Sequence, residues 1–316
     1  MVKIDKIDKK ILFYLDENSR YSDSFLAREV GLSSSNVAYR IERMKKNEII
    51  DGFYVLLNPF AFRKRYDRLI VKFKAGWDMD DVREYCQKNK EIGWFIFLDG
   101  AWNLGCQIWS DDVIESKRVI DKFLSKFGET VDDYRVSSLI LVDGFEHKFL
   151  FEDLKSKNTV LEYSGDVKLD SLDRELIGVL FRDARMKLLD VAEKLGVDYK
   201  VVSYRMKRLE EKKVILGYKL DFNRFNLGYD YYKVRLSFAS YSSKDMEKLH
   251  AFLKNDKRIL FVTKALGWAD LEFEIFCKDQ GEYREFRQMF GKKFVGVIRE
   301  FDSLIPLEFD WNNFMP

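Results

Sequence analysis

Histidine, cysteine and proline are scarce in this sequence, which has two, three and three of them among 316 residues. No histidine or cysteine pair occurs at the spacing of a metal site, so we expect no metal and no cofactor. Cys86, Cys106 and Cys277 are isolated in apolar surroundings. Scattered cysteines in odd number are typical of reduced core thiols, which predicts a cytoplasmic protein.

Long apolar runs are also missing. No stretch approaches the roughly 18 uninterrupted apolar residues of a membrane-spanning helix. Residues 1–5 lack the apolar run of a signal peptide. There is no glycine-rich phosphate loop and no nucleophile motif. These absences argue against a membrane protein and against the common enzyme classes.

One unit occurs twice in the chain. Ile4 corresponds to Leu169, and the same offset of 165 residues holds without a gap as far as Asn58 and Asn223. Solenoid repeats have periods of about 20–50 residues, so this period indicates a duplicated two-domain protein. A feature that is present in both copies is therefore unlikely to be accidental.

Charge is distributed unevenly, although the net charge of +2 by itself predicts no polyanionic partner. Two basic runs, residues 40–46 and 198–213, lie at matching places in the two copies. A solvated helix face would explain one such run. Two runs at corresponding positions favour a surface that faces phosphates.

The first part of each copy predicts three helices. Apolar residues at helical spacing follow a polar cap in the first and third helices. These caps are Asp5, Ser33, Asp170 and Asp198. The second helix ends at Gly31 or Gly196, where a left-handed residue commonly ends a helix. Two short helices joined by a glycine turn predict a helix-turn-helix, and the apolar segments 49–56 and 214–220 predict the strand of a wing.

The third helix carries side chains suited to a DNA groove. Asparagine pairs with adenine, arginine and lysine pair with guanine, and serine and tyrosine contact bases or the backbone. The predicted DNA-binding residues are Ser34, Ser35, Asn36, Tyr39, Arg40, Arg43, Tyr199, Lys200, Ser203, Tyr204, Arg205, Lys207 and Arg208. Replacing Arg40 or Arg205 by alanine should weaken DNA binding by roughly 1–3 kcal/mol if the arginine contacts a base. Helix-turn-helix folds also serve as protein-interaction modules, so one head could have that role alone.

The second part of each copy predicts the order βαββαβ, a ferredoxin-like antiparallel sheet with helices on one face. Its bare face is rich in aromatic and aliphatic residues and must be covered. We expect the two sheets of one chain to pack together as an intrachain pseudo-dimer. The fold class is therefore α+β. Two winged helix-turn-helix domains are predicted at residues 1–62 and 167–227. Two βαββαβ domains are predicted at residues 63–145 and 228–316, and a linker at residues 146–166.

Both copies resemble the Lrp/AsnC family of transcriptional regulators over nearly the whole chain. The resemblance rests on strings such as residues 40–44 and 49–53, which copy two repeats at 205–209 and 214–218. It implies a sequence-specific DNA-binding regulator whose RAM-type βαββαβ part dimerises. It also implies an amino-acid-like or other small-metabolite effector near a Gly-x-x-Asp turn. The matching residues are Gly100 and Asn103 in copy one and Gly267 and Asp270 in copy two.

The chain departs from the family pattern in two respects. Asn103 lacks the charge of Asp270, so we expect only one working effector pocket. A covalent tandem also differs from the usual single unit, which leaves further homo-oligomerisation open.

A siroheme decarboxylase is the enzyme alternative, because those proteins resemble the same family in fold and work as paired or fused subunits. Such an enzyme should need positioned histidine and arginine side chains. His147 and His250 occupy different places in the two copies. We therefore expect both histidines to be incidental and the protein not to be an enzyme.

Overall fold

The computed structural model describes residues 4–145, 147–150, 158–163, 165 and 167–311. The ends of the outer predicted domains and much of the predicted linker, including Glu146, lie outside these residues. The helices are α1 Lys6–Glu17, α2 Asp23–Val30, α3 Ser34–Lys46, α4 Met79–Lys88, α5 Val113–Phe127, α6 Ser171–Arg182, α7 Leu188–Leu195, α8 Tyr199–Glu211, α9 Ser243–Asn255 and α10 Gln280–Lys293.

The strands follow the predicted order in both copies, and the predicted α+β class is confirmed. They are β1 Ile50–Leu57, β2 Arg65–Phe73, β3 Ile92–Asp99, β4 Leu104–Ser110, β5 Val131–Phe145, β6 Asn158–Leu161, β7 Ile215–Phe222, β8 Asp230–Phe238, β9 Ile259–Gly267, β10 Leu271–Cys277 and β11 Ile298–Trp311. β6 lies inside the segment that we predicted to be a linker, and it pairs with β5.

The caps that the sequence predicts fix the helix ends. Asp5 and Asp170 each begin their helix with a capping box, in which the side chain accepts a hydrogen bond from the N–H three residues later. Gly31 and Gly196 end α2 and α7 at φ 72° and 64°. A side chain disfavours that left-handed backbone, so glycine allows the turn into α3 and α8.

The two helix-turn-helix heads form one body. Head one comprises α1–α3 and β1, and head two comprises α6–α8 and β7. The strand predicted as a wing is present in each head, but β1 pairs antiparallel with β7 of the other head, for example Val55 with Tyr218. α1 packs on β7 and α6 packs on β1. The two heads therefore share a two-stranded ribbon and one hydrophobic core.

An arginine at the same position in each copy holds the two heads together. Arg20 Nη1 donates to the carbonyl oxygens of Ala184 and Met186 at 2.5 and 3.1 Å. Arg185 makes the counterpart contact, from Nη1 to the carbonyl oxygen of Ser19 at 2.8 Å. Charged donors on backbone carbonyls are among the stronger hydrogen bonds in proteins. These contacts hold the two heads at one relative orientation.

The βαββαβ parts join into a single nine-stranded sheet, rather than only packing face to face as we expected. Its order is β2-β4-β3-β11-β8-β10-β9-β5-β6, and an additional β2–β5 pairing closes eight of the strands into a ring. The closure depends on the last strand of each copy. The first half of β5 pairs with β2 and its second half with β9. In the same way, β11 pairs with β8 and then with β3.

The last strands extend past their predicted ends at Val142 and Leu307, because their second halves belong to the sheet of the other copy. The intrachain pseudo-dimer thus exchanges strands at both edges. The helices cover the outside of the ring in two separate cores. Cys86, Cys106 and Cys277 are buried in these cores as free thiols. None of the described helices is long and apolar enough to cross a membrane.

Candidate nucleic-acid interface

The third helix of each head, α3 or α8, turns one polar face to solvent. α3 buries Val37, Ile41 and Met44, and α8 buries Val202, Met206 and Leu209 against the head core. The opposite faces are exposed at Ser34, Ser35, Asn36, Tyr39, Tyr199, Lys200, Ser203, Tyr204 and Lys207. Tyr39 and Tyr204 occupy the same position in the two copies, and each is 67% exposed. The same exposed aromatic side chain therefore stands at one place in both heads.

The predicted arginines have a different environment. Arg40 Nη1 lies 2.7 Å from Asp5 Oδ2 and 2.8 Å from Asp8 Oδ1. Arg43 Nη2 lies 2.6 Å from Asp8 Oδ2. The Asp8 side chain is fully buried, whereas that of Arg40 is 20% exposed. These charge-assisted hydrogen bonds tie α3 to the start of α1.

Head two repeats this arrangement residue by residue. Arg205 Nη1 is 2.7 Å from both Asp170 Oδ1 and Asp173 Oδ1, and Arg208 forms an ion pair with Asp173. The hydrogen bond from Arg205 lowers the pKa of Asp170 below its ordinary value. The same two carboxylates raise the pKa of Arg205. We call each set of two arginines and two aspartates an arginine clamp.

The clamps correct the predicted orientation of four arginine side chains, whereas contact of these arginines with DNA stays a prediction. The sequence analysis placed Arg40, Arg43, Arg205 and Arg208 on an outward, DNA-facing surface. The structure instead directs the guanidinium groups of all four into the head, where each binds a buried aspartate. A guanidinium held by a carboxylate is a weaker partner for phosphate or guanine, because that ion pair must first be broken. These arginines position α3 and α8.

Asp8 and Asp173 were missed as functional residues. A signal was available, because the aspartates and both arginines of each clamp are identical in the two copies, while most exposed positions of α3 and α8 differ. Asn36, for example, corresponds to Val201, and Glu42 corresponds to Lys207. The exposed tyrosine at 39 and 204 is the exception.

The two predicted effector turns lie together at one end of the ring, where the Trp102 and Trp268 rings are 4.8 Å apart. Asn103 Oδ1 accepts a hydrogen bond from the Phe73 N–H at 2.8 Å. Asp270 Oδ2 accepts the equivalent bond from the Phe238 N–H, also at 2.8 Å. Both side chains therefore shape their own turn. An effector role for either turn stays a prediction.

The glycines of these turns offer a matched test of strain. Gly267 has φ 124°, and a Cβ there would lie 2.5 Å from the carbonyl oxygen of Val136. Gly100 has φ 115°, but a Cβ there would meet nothing within 4 Å. Both alanine variants carry backbone strain of about 1–3 kcal/mol. We expect Gly267→Ala to lose about 1–2 kcal/mol more than Gly100→Ala, because its backbone must also shift.

Urea unfolding of the two variants measures this difference. Equal losses of unfolding free energy would contradict the close approach of β5 to the second turn.

Both histidines are held by acidic partners. His147 Nδ1 lies 2.5 Å from Asp16 Oδ2, and both side chains are buried. His250 Nε2 lies 2.9 Å from Asp143 Oδ2. The sequence placed His147 in a charged stretch, whereas the structure packs its ring edge-on against Phe222 at 4.3 Å. Across the described residues, no group of three or more histidine, cysteine or acidic side chains could hold a metal ion.

Known proteins match the two heads. Residues 4–51 match the model of a winged helix-turn-helix DNA-binding domain, and residues 169–210 match that of the AsnC-type helix-turn-helix domain. An uncharacterised HTH-type transcriptional regulator of Pyrococcus abyssi is 30% identical over 129 residues, which are 41% of this chain and 84% of that protein. Another from Pyrococcus furiosus is 32% identical over 124 residues, 38% of this chain and 79% of the relative.

Similarity to solved structures extends over nearly the whole chain. The crystal structure of the siroheme decarboxylase NirDL covers 96% of this chain and 92% of its own, with a TM-score of 0.61 and 14% sequence identity. At that identity the likeness extends to the fold alone.

Proposed function

Because the chain belongs to the Lrp/AsnC family of helix-turn-helix transcriptional regulators, we propose that both of its heads bind one DNA site together. The observation that carries the proposal is the shared ribbon of β1 and β7, which holds the exposed faces of α3 and α8 at a fixed orientation. Tethered heads add their binding free energies without a second association step. The two heads then act as a single DNA-binding unit.

We assign the contacts to the exposed face of each third helix. In head one, Ser34, Ser35, Asn36 and Tyr39 would approach the groove. In head two, Tyr199, Lys200, Ser203, Tyr204 and Lys207 would do so. Residues near the N-terminus of a recognition helix reach base edges, and later residues contact the backbone. Lys200 and Lys207 make the second face the more basic one.

The clamp arginines stabilise this surface by holding the third helix against the rest of the head. Arg40 and Arg205 hold the helix against α1 or α6, so their replacement would reduce DNA binding through loss of the head structure. Such a structural role can be distinguished from direct base contact. It predicts that the free energy of unfolding falls together with the DNA affinity.

An enzymatic function of the siroheme decarboxylase type has less support in the described residues. Two cavities between the ribbon of the heads and the ring measure about 100 and 70 Å³, whereas pockets for drug-sized ligands span about 300–1,000 Å³. Two larger open grooves, about 880 and 1180 Å³, lie on the outer helices, and no histidine lines either of them. We therefore propose a regulator without this catalytic activity. A shifted visible spectrum after incubation with siroheme would contradict it.

Salt-dependent gel-shift titration tests the assignment of head two. Lys200→Ala and Lys207→Ala should each weaken binding across DNA sequences and lower the slope of log affinity against log salt by about 1. The reason is that each lysine would displace counterions from a phosphate.

Lys244→Ala is the control. Lys244 lies on α9, outside the ring, so its replacement removes one positive charge but should leave the slope of log affinity against log salt unchanged. If the slope is unchanged in the two head variants as well, α8 does not face DNA.

A further inference from the structure

Two adjoining cavities lie between the ribbon of the heads and the inside of the ring, with volumes of about 100 and 70 Å³. They share lining residues from the ribbon, from both copies of the sheet and from β6. The shared residues are Tyr54, Leu56, Tyr66, Trp94, Leu161 and Trp311. The cavities are thus walled mainly by aromatic rings, and both copies contribute to them.

Positive charge predominates around the larger cavity. Arg68, Arg224 and Lys233 line it, against the single carboxylate of Glu274. Glu274 pairs with Lys233, and the charges of Lys233 and Arg224 lower the pKa of Glu274 to about 2 although burial opposes the shift. Arg68 pairs with Glu272, which lies deeper in the ring.

Arg224 is the cation of this cavity that has no direct ion pair. Within the described part of the chain, no carboxylate forms an ion pair with it, and its buried Nε atom has no hydrogen-bond partner. Its guanidinium lies 4.9 Å from the centre of the Phe309 ring. Asp221 and Glu274 act on it electrostatically without forming an ion pair, and the groups around it raise the pKa of Arg224 although burial opposes the shift. A bound anion would give the buried Nε–H the acceptor that it lacks.

Gln107 is the second unsatisfied group. Its side chain is fully buried and lines the smaller cavity, and neither its amide nitrogen nor its amide oxygen has a hydrogen-bond partner among the described residues. The equivalent residue of copy two is Glu274, which bonds Tyr231 and Lys233. A buried amide normally has partners, so a polar group that enters the cavity and reaches it would satisfy it.

We propose that these two cavities together bind one small carboxylic acid with a second polar group, its carboxylate at Arg224 and its other end at the Gln107 amide. Size limits the ligand. A cavity of about 150 Å³ accepts benzene, which has six carbon atoms, so a molecule of about that size fits here. This site is separate from the two turns to which the family resemblance assigns an effector.

The position of the site links it to the heads. Tyr54 and Leu56 belong to β1, and Arg224 follows the end of β7 by two residues. A ligand that draws Arg224 inward would therefore act directly on the ribbon that carries both recognition helices. This part of the inference rests on the proposed DNA-binding function, whereas ligand binding itself does not.

Pyruvate, which has six non-hydrogen atoms, is a suitable probe. Titrated into the full chain, it should bind and change tryptophan fluorescence, because Trp94 and Trp311 line both cavities. Propionamide, similar in size but uncharged, should bind at least tenfold more weakly. Arg224→Gln should weaken pyruvate binding at least tenfold, and Lys244→Ala should leave it unchanged.

Gln107→Met keeps the test decisive if Arg224→Gln does not fold. It replaces an unsatisfied amide by an apolar side chain of similar length, so its melting temperature should equal or exceed that of the original chain, while pyruvate binding weakens. Failure to bind pyruvate, equal binding of propionamide, or unchanged binding in both variants would overturn the proposed site.

Measuring DNA affinity with and without pyruvate separates the ligand-binding proposal from the DNA-binding proposal. If pyruvate binds and shifts DNA affinity, DNA must shift pyruvate affinity by the same factor. Pyruvate binding with unchanged DNA affinity would overturn the link to the heads and leave the site in place. Loss of all DNA binding would overturn the proposed function instead.

Discussion

Replacing Asp8 by alanine should unfold head one at a much lower urea concentration than in the original chain. The Asp8 carboxylate is fully buried and accepts hydrogen bonds from Arg40, Arg43 and the N–H of Asp5. Removing one partner from a buried ion pair leaves the others without compensation, at a cost of about 3–5 kcal/mol. We expect about 3 kcal/mol, because both arginines keep some contact with water. Far-ultraviolet circular dichroism during urea unfolding measures the loss.

The second clamp supplies a repeat of this experiment in the same molecule. Asp173→Ala should destabilise head two by a similar amount, since Asp173 is also fully buried and meets Arg205 and Arg208. Glu193→Ala, an exposed acid on α7, should change stability by less than about 0.5 kcal/mol. A loss below about 1 kcal/mol in both aspartate variants would return the arginines to the DNA-facing role first predicted for them.

Tyr39→Ala and Tyr204→Ala should weaken DNA binding without weakening the fold. Each side chain is 67% exposed on the outward face of its third helix, so its removal costs the head little packing. A lost contact of this kind is worth roughly 1–2 kcal/mol, about tenfold in affinity. The double variant should lose about 100-fold, because distant sites contribute additively. Fluorescence anisotropy with a bound DNA duplex measures the three affinities.

Tyr241→Ala is the control, an exposed tyrosine of the sheet part that should leave DNA affinity unchanged. The single variants also test whether one head serves only protein interaction. If Tyr204→Ala reduces affinity and Tyr39→Ala does not, head one does not take part in binding this DNA.

Local structure could be predicted well because it depends on neighbouring residues. The capping aspartates Asp5 and Asp170 and the turn glycines Gly31 and Gly196 occupy their predicted roles. The order of helices and strands followed from apolar periodicity in the same way. Duplication strengthened each of these predictions, because every signal occurred in both copies.

Contacts between the copies could not be predicted from those signals. The second halves of β5 and β11 look like ordinary strand ends, and only their partners β9 and β3 show that they close a ring. The aspartate partners of the arginines could not be predicted for a similar reason. The sequence shows that Arg40 is charged, but only the fold brings it to Asp8, 32 residues away.

The differences between the copies have the clearest functional consequence. The residues that the two copies share give both copies the same fold. The exposed first residues of the third helices differ, with Ser34, Ser35 and Asn36 in head one against Tyr199, Lys200 and Val201 in head two. Two identical recognition helices related by two-fold symmetry bind a palindromic DNA site. Two different helices held by one ribbon should bind a site with two unlike halves.

Selection of bound fragments from random-sequence DNA, with the full chain, tests the joint action of both heads most directly. We predict that the enriched fragments contain two different half-sites at one fixed spacing, because the ribbon fixes the separation of α3 and α8. A single half-site, two half-sites at variable spacing, or no enrichment over the starting DNA would contradict the proposal that both heads bind DNA as one unit.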